Sequence, residues 1–185
     1  MAILEREALI HYLDVLGAES TNPSFTHKKI TDVTTSSAST WEVIGDDIEE
    51  MNVELNTDTS QFKNILGQTK VKDNGYTPSI SAEPFYADPS SSLYKILRDI
   101  ALDRKKNDAC RALMLEVLVE DTTATSHLAY VSEVVVKPSS YGGNATDGVN
   151  IPFTIMENGD RVKGTVTLTG DRASNYVPTF TKAST

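Results

Sequence analysis

The sequence has one cysteine among its 185 residues, Cys110. A single cysteine cannot form an intramolecular disulfide or supply a cysteine-rich metal site. Such a chain is typical of a reducing, intracellular compartment, which is the expectation here. Cys110 stands beside Arg111 with no base nearby in sequence, and this favours a small core residue over a reactive thiol.

Long apolar runs are also lacking. No stretch approaches the ~18 consecutive apolar residues of a membrane span, and residues 1–6 carry mixed charges rather than a signal-peptide pattern. We therefore expect a soluble chain, or one that joins a soluble assembly, with no membrane partner.

Basic residues are scarce: 17 Lys and Arg stand against 26 Asp and Glu, and the formal net charge is −9. A protein that holds nucleic acid through phosphate contacts needs clustered Lys and Arg. The charge argues against such binding, but not against acting near nucleic acid by repulsion.

Catalytic and metal-binding motifs are missing. His11, His27 and His127 lie in separate segments without ligand spacing, and no nucleophile-elbow, phosphate-loop or Cys–His pattern occurs. Paired carboxylates such as Asp46 and Asp47 could serve glycoside hydrolysis, but aromatics make up only 7% of the chain. The sequence predicts no enzymatic activity, no cofactor and no metal.

The most unusual feature that is present is an acidic segment. From residue 41 to residue 60 there is no Lys or Arg, but seven acidic residues occur: Glu42, Asp46, Asp47, Glu49, Glu50, Glu54 and Asp58. Within residues 50–56 polar and apolar residues alternate, which predicts a β-strand at about 48–56. Met51, Val53 and Leu55 would be buried on one face, and Glu50 and Glu54 would be exposed on the other.

Other segments show helical or turn patterns. Apolar spacing predicts a short amphipathic helix or docked arm at 5–16, and a Ser/Thr-rich composition predicts an arm or loop at 19–40. Residues 56–60 read as a turn or loop within a long hairpin that has a mobile tip, with residues 76–86 extended. Asp88 and Pro89 precede the clearest helix, at about 90–107, with Asn107 as its cap.

Alternating apolar residues predict four further strands, at 113–119, 128–136, 151–155 and 162–168. The first is apolar on both faces and is expected to be central. Asn158 and Gly159 lie between the last two, and Asn-Gly is the strongest short hairpin signal. The expected division is therefore an N-terminal helix or arm at 1–40, a β-domain at 41–170 and a tail at 171–185.

The order of these segments and their residue patterns resemble those of the major tail tube proteins of long-tailed bacteriophages and related prophages. The resemblance covers roughly residues 8 to 170 and is carried by Leu9–Val15, Trp41–Asp47, Met51–Asn56, Tyr76–Phe85 with Asp88-Pro89, Lys137–Gly143, Val149–Ile155 and Gly159–Val166. It implies a mainly β fold, an antiparallel β-sandwich or half-barrel with one flanking helix. It also implies hexameric rings that stack into a hollow tail tube for DNA ejection.

The same resemblance implies partners and a place. The partners would be further copies of the chain, the tail terminator, the tape measure and the distal tail or baseplate proteins, in a virion whose parts are made in the host bacterial cytoplasm. DNA would pass through the lumen without specific binding, because carboxylates repel phosphate. Glu50 and Glu54 are the predicted lumen residues, and the further candidates are Asp46, Asp47 and Glu49.

Two other interpretations remain open at this stage. The inner tube of a contractile injection system would have the same fold inside a sheath. A monomeric β-sandwich module that binds sugar or peptide belongs to a different class, although the low aromatic content disfavours a ligand cleft.

Overall fold

The computed structural model describes residues 4–18, 20–26, 29–33, 40–46, 48–146, 148–170 and 176–184. These residues form mainly antiparallel β-structure. The strands are β1 (Leu9–Leu16), β2 (Ser24–Phe25), β3 (Trp41–Ile44), β4 (Ile48–Glu54), β5 (Thr57–Lys63), β6 (Thr69–Tyr76), β7 (Ser79–Phe85), β8 (Arg111–Leu118), β9 (His127–Pro138), β10 (Phe153–Thr169) and β11 (Val177–Lys182). The α-helix α1 spans Ser92–Asp103, and short 3-10 turns lie at Arg6–Ala8, Ile30–Asp32 and Asn107–Cys110.

The main sheet has the order β2-β1-β8-β9-β10-β7-β4, with β3 beside β1 and β11 beside β10. Strands β3 and β4 lie at opposite ends of this order, yet only residues 45–47 separate them in sequence. The sheet therefore curls, and the end of β3 lies close to the start of β4 without pairing with it. This confirms the predicted mainly β fold, a sandwich or half-barrel with one flanking helix.

Helix α1 forms where the sequence predicts it, with shorter bounds. The Ser91 hydroxyl accepts a hydrogen bond from the Tyr94 N–H at 3.3 Å and so caps the first turn. The helix ends at Arg104, whose left-handed φ of 52° turns the chain so that the Lys105 N–H donates to the Ile100 carbonyl at 3.1 Å. The predicted cap, Asn107, lies beyond the helix at the start of a 3-10 turn.

The core fills both faces of the sheet. On one face α1 covers a cluster that includes Met51, Ile80, Leu97 and Met114, all buried. On the other face a second cluster packs around Leu115. Because β8 contributes to both clusters, it is central, as its sequence predicts. Cys110 is also fully buried, which confirms its core role.

Residues 5–16, for which the spacing predicts a helix or docked arm, form β1 after a 3-10 turn. Strand β1 pairs with β8 from Leu9↔Leu118 to Leu13↔Met114. Its residues from His11 to Val15 are buried, so both faces contact protein. A strand buried on both faces carries no period-two pattern, and this is why the helix prediction is wrong.

The predicted hairpin at Asn158-Gly159 is also wrong. β10 runs through this dipeptide and pairs with β9 on both sides of it, at Asn158↔Glu133 and then Val162↔Val131. Between these two pairs β10 has three residues, 159–161, and β9 has only Ser132. The two extra residues of β10 form a bulge. Gly159, at φ 83°, adopts the left-handed conformation within that bulge instead of in a turn.

The long hairpin is confirmed, but the predicted turn or loop at 56–60 is largely strand. Ile48↔Phe85, Glu54↔Ser79 and Thr57↔Tyr76 share one register, but β5 and β6 form a separate two-stranded sheet whose register shifts between Asp58 and Thr59. The turn of the hairpin lies at residues 64–68. A backbone hydrogen bond from the Thr77 N–H to the Asn56 carbonyl bridges the break between the pairs.

The sheet crosses both predicted segment boundaries. β1 lies before residue 41, and β11, in the predicted tail, pairs with β10 from Gly164↔Lys182 to Thr169↔Val177. Phe180 of β11 is fully buried in the second core cluster. Residues 171–175, and parts of the predicted arm at 19–40, lie outside the described residues, whereas Phe25 of β2 is buried in the first cluster.

Candidate functional site

An acidic face covers the outer side of the β4–β7 pair. Glu50 and Glu54 are exposed on one side of β4, and Met51 on the opposite side is buried, as the alternation predicts. Leu55 does not pack inward as predicted: it follows the strand and is 55% exposed. A third carboxylate, Glu83 of β7, lies directly opposite Glu50 and is exposed.

Glu50 and Glu83 form a like-charge cross-strand pair. Such pairs destabilise an antiparallel sheet, because the side chains of opposite residues lie within about 5.5 Å of each other at Cβ. Asn52 donates a hydrogen bond to Glu50 at 2.7 Å. The arrangement favours a negative surface over local stability.

The other predicted acidic residues lie elsewhere. Asp46 and Glu49 line a groove of about 370 Å³ between β1, β3 and the start of β4. Glu49 is on the Met51 side of β4 and so faces away from Glu50. Asp47 lies outside the described residues. The structure thus brings Glu50 and Glu54 together and separates Asp46 and Glu49 from them.

Glu42 is the acidic residue that turns inward. It is half-buried on β3 beside the first turn of α1, and burial raises its pKa. The Ser92 hydroxyl and the N–H groups of Leu93 and Ser92 face Glu42 and lower its pKa in the opposite direction. The Ser92 hydroxyl itself donates to the Ala18 carbonyl at 3.1 Å. A carboxylate at a helix N-terminus stabilises the helix dipole, so Glu42 serves the fold rather than the acidic face.

The groove lies where the curled sheet brings β3 and β4 together; we call it the β3–β4 groove. Its apolar lining includes Leu9, Ile10, Val43, Ile48 and Met51, and its charged lining includes Arg6, Glu7, Asp46 and Glu49. The Arg6 guanidinium donates to the Met51 carbonyl at 3.0 Å. This bond ties the turn before β1 to β4 and holds the groove in shape.

The β5–β6 hairpin projects from the sheet without support. Every residue of β5 is exposed, and so is all of β6 except Gly75. In the described part of the chain, β5 and β6 form a sheet of their own. An isolated two-stranded hairpin is marginally stable in water, so this element is typical of a segment that is supported by a partner.

The hairpin tip, defined as Phe62–Lys72, is apolar and ordered by local bonds. Ile65 is fully exposed and Leu66 is 76% exposed. The side-chain oxygen of Asn64 accepts from the N–H groups of Leu66 and Gln68 at 3.0 and 2.9 Å. The turn therefore presents two large apolar side chains to solvent in a fixed geometry.

A partly buried charged cluster links four strands on the helix side of the sheet. The His11 Nε2 lies 3.2 Å from a Glu116 carboxylate oxygen, and the Arg161 guanidinium donates to the other oxygen at 2.9 Å. Arg161 comes from the β10 bulge and crosses the Tyr130 ring, 4.7 Å from its centroid. The cluster thus joins β1, β8, β9 and β10.

The cluster controls the ionisation of its carboxylates. Burial alone would raise the pKa of Glu116, but hydrogen bonds from His11 and Arg161 outweigh it and hold this pKa to about 2. Burial raises the pKa of Glu157, against the attraction of Arg161 3.8 Å away. No local pattern predicts this cluster, because Glu116 lies more than 40 residues from both His11 and Arg161, and Arg161 lies at the mispredicted turn.

Chemical sites are not evident elsewhere in the described residues. They contain no group of three or more His, Cys, Asp or Glu side chains that could hold a metal ion. Among them, too, no helix is both long and apolar enough to cross a membrane.

Compared by sequence, the chain matches no protein-family model and no curated protein. By structure it is similar to the terminating cap of the anti-feeding prophage tube, at 10% identity and TM-score 0.48, over 88% of this chain and 91% of that one. It is also similar to the C6-symmetric tail of an empty GTA particle, at 12% identity and TM-score 0.49, over 86% and 97%. A type six secretion system protein matches at 9% identity and TM-score 0.33, over 94% and 93%.

Proposed function

We propose that this chain is a structural subunit that polymerises into the hollow tail tube of a long-tailed phage or related particle, as stacked hexameric rings. The observation that carries the proposal is the projecting β5–β6 hairpin with its exposed apolar tip. A free monomer gains nothing from an unsupported ribbon that places Ile65 and Leu66 in water. In an assembly a neighbouring subunit covers them.

The outer strands of the sheet support the same function. Strands β3 and β4 end the sheet on its two sides, and an open strand edge tends to pair with another chain. Head-to-tail contacts between identical subunits close into rings or continue as helical stacks. A tube uses both kinds of contact, one within a ring and one between rings.

The acidic face would line the lumen. A channel for DNA delivery must not bind the duplex, and Glu50, Glu54 and Glu83 would repel its phosphates. The Glu50–Glu83 pair supports this role, since its repulsion has no benefit for the isolated fold. In this proposal Asp46 and Glu49, which line the groove, serve contacts between subunits instead of the lumen.

The role is structural and not catalytic in this proposal. The partners are further copies of the chain, together with the tail terminator, tape measure and distal tail or baseplate proteins. DNA passes through without sequence-specific contacts, and the mature protein resides in the virion tail.

Sizing chromatography followed by negative-stain microscopy tests the proposal. We expect rings or tubes of uniform diameter as the concentration of the purified chain is raised. A strictly monomeric species at high concentration, with or without an extract of tail proteins to nucleate assembly, would contradict the proposal and favour a binding module. Co-purification with a sheath protein would instead identify the tube of a contractile system.

A further inference from the structure

We propose that the cavity beside the β10 bulge is a binding site for an ammonium group on a short alkyl stem. We call this cavity, of about 330 Å³, the bulge pocket. Its apolar wall consists of Val53, Leu55, Tyr76 and Pro78, at the root of the hairpin, and its polar wall comes from the bulge in β10. The site is an addition to the proposed function and does not depend on it.

The bulge pocket is separate from the acidic face. Val53 packs against the first core cluster, so it lies on the side of β4 opposite Glu50 and Glu54. The Glu157 N–H donates to the Pro78 carbonyl at 3.2 Å, and this bond joins the two walls of the pocket. A ligand in the pocket would therefore lie on the other side of the sheet from the acidic face.

The bulge pocket contains a buried carboxylate without a close partner. The Glu157 side chain is only 4% exposed, and in the described part of the chain its carboxylate accepts no hydrogen bond. Its ion pair with the Arg161 Nε is long, at 3.8 Å, whereas the same guanidinium donates to Glu116 at 2.9 Å. A buried polar group normally has a hydrogen-bond partner, so Glu157 marks a place where a ligand can supply the missing donor.

The charges around the pocket favour a cation. Two carboxylates line it, from Glu157 and Asp160, against one guanidinium, from Arg161. Glu116 takes the short bond of that guanidinium and also has the His11 Nε2 3.2 Å away. Burial raises the pKa of Glu157, and a cation beside this carboxylate would act in the opposite direction.

The carboxylates fit an ammonium group better than a metal ion. Ca²⁺ takes about six to eight oxygen ligands, and the described residues contain no group of three or more His, Cys, Asp or Glu side chains that could hold a metal. An ammonium group needs fewer partners, because a single carboxylate can accept a short charge-assisted hydrogen bond from it. Glu157 would accept that bond, and the exposed Asp160 at the rim would add to the attraction.

The apolar wall fits a stem of methylene groups. Leu55 is 55% exposed and Tyr76 is 62% exposed, so a stem that lies against them removes apolar surface from water. The volume of the pocket is near the lower end of the range for small-molecule sites, about 300–1,000 Å³. We therefore expect a short stem, either of a free alkylamine or of a lysine side chain that belongs to another chain.

Saturation-transfer NMR on the purified chain tests the site with n-pentylamine as the probe. This measurement detects weak binding to a monomer and to a large assembly alike. The matched probe is 1-pentanol, which has the same stem and no charge. We expect saturable binding of n-pentylamine, with an affinity about tenfold or more above that of 1-pentanol, because only the amine makes a charge-assisted hydrogen bond.

Two substitutions of glutamate locate the bound amine. Glu157→Gln keeps the shape of the side chain and should lower the affinity for n-pentylamine by about tenfold or more. This variant removes a buried charge and should fold, which circular dichroism verifies. Glu54→Gln is the control, because Glu54 is exposed on the opposite face of β4, and it should leave the affinity unchanged.

A third probe, Nα-acetyl-lysine amide, distinguishes the two sources of the ammonium group. If it binds as n-pentylamine does, the pocket accepts a lysine side chain of another chain; if only n-pentylamine binds, the ligand is a free alkylamine. Both results support the site when Glu157→Gln weakens them. Binding of n-pentylamine that is absent, or equal in the wild type and Glu157→Gln, would overturn the site and leave the proposed tube, which microscopy tests, unaffected.

Discussion

The charged cluster yields a prediction about stability whose size follows from the structure. Replacing Glu116 by Gln keeps the shape of the side chain and removes its charge. In the folded protein the pKa of Glu116 falls from the ordinary 4.5 to about 2, because hydrogen bonds from His11 and Arg161 outweigh burial. Since one pKa unit equals about 1.4 kcal/mol, ionised Glu116 contributes about 3 kcal/mol to the free energy of unfolding at pH 7.

The sign of the pH dependence follows from the lowered pKa. As pH falls below about 5, the unfolded chain protonates Glu116 while the folded chain keeps it ionised, so the contribution decreases until pH reaches about 2. At pH 3 about 40% of it should remain. The difference in unfolding free energy between the wild type and Glu116→Gln should therefore shrink by about 2 kcal/mol from pH 7 to pH 3.

Urea unfolding of dilute, unassembled chain at the two pH values measures this difference, with Trp41 fluorescence and circular dichroism as probes. Glu120→Gln is the control, because Glu120 is exposed just beyond β8, and its effect should be small at both pH values. A Glu116→Gln difference that is the same at pH 3 as at pH 7 would refute the assignment of Glu116 as the ionised centre of the cluster.

Two further substitutions test the packing and the acidic face. Gly164→Ala places a Cβ 2.5 Å from Cζ of Phe180 and against the Thr181 carbonyl, so we expect β11 to detach, with a loss of about 1–3 kcal/mol in thermal or urea unfolding; an unchanged midpoint would contradict this packing. Glu50→Gln relieves the repulsion from Glu83 and should stabilise the chain by about 0.5 kcal/mol; destabilisation would show that the pair is not repulsive.

Local sequence patterns correctly predict the elements whose conformation is not overridden by tertiary contacts. The helix is predicted by its Ser91 cap and by its apolar stripe. Strand β4 is predicted by the alternation of polar and apolar residues, because one face of this part of the sheet is exposed to solvent. The prediction for residues 5–16 is wrong because a strand that is buried on both faces does not alternate between polar and apolar residues. Its apolar residues can therefore fall at helix-like spacing.

The Asn158-Gly159 turn failed for a tertiary reason. β9 is long enough to pair with β10 on both sides of the dipeptide, and Arg161 in the bulge bonds to Glu116 two strands away. The preference of Asn-Gly for a turn stabilises the chain less than these long-range contacts do. Neither the length of β9 pairing nor the partner of Arg161 can be read from the residues around the turn.

The candidate site was only partly predictable for the same reason. Alternation placed Glu50 and Glu54 on one exposed face, but Glu83 joins them through strand register, which a single sequence does not specify. The groove depends on the curl that brings β3 to β4, so Asp46 and Glu49 could not be assigned to it in advance. The basic, apolar character of the hairpin tip is visible in the sequence, whereas its isolation is visible only in the fold.

A cryo-microscopy reconstruction of the assembled chain, at a resolution that shows side chains, tests the proposed tube most directly. We predict stacked rings with Glu50, Glu54 and Glu83 facing the central channel. A tube in which these three carboxylates lie on the outer surface, with a different face toward the channel, would contradict it.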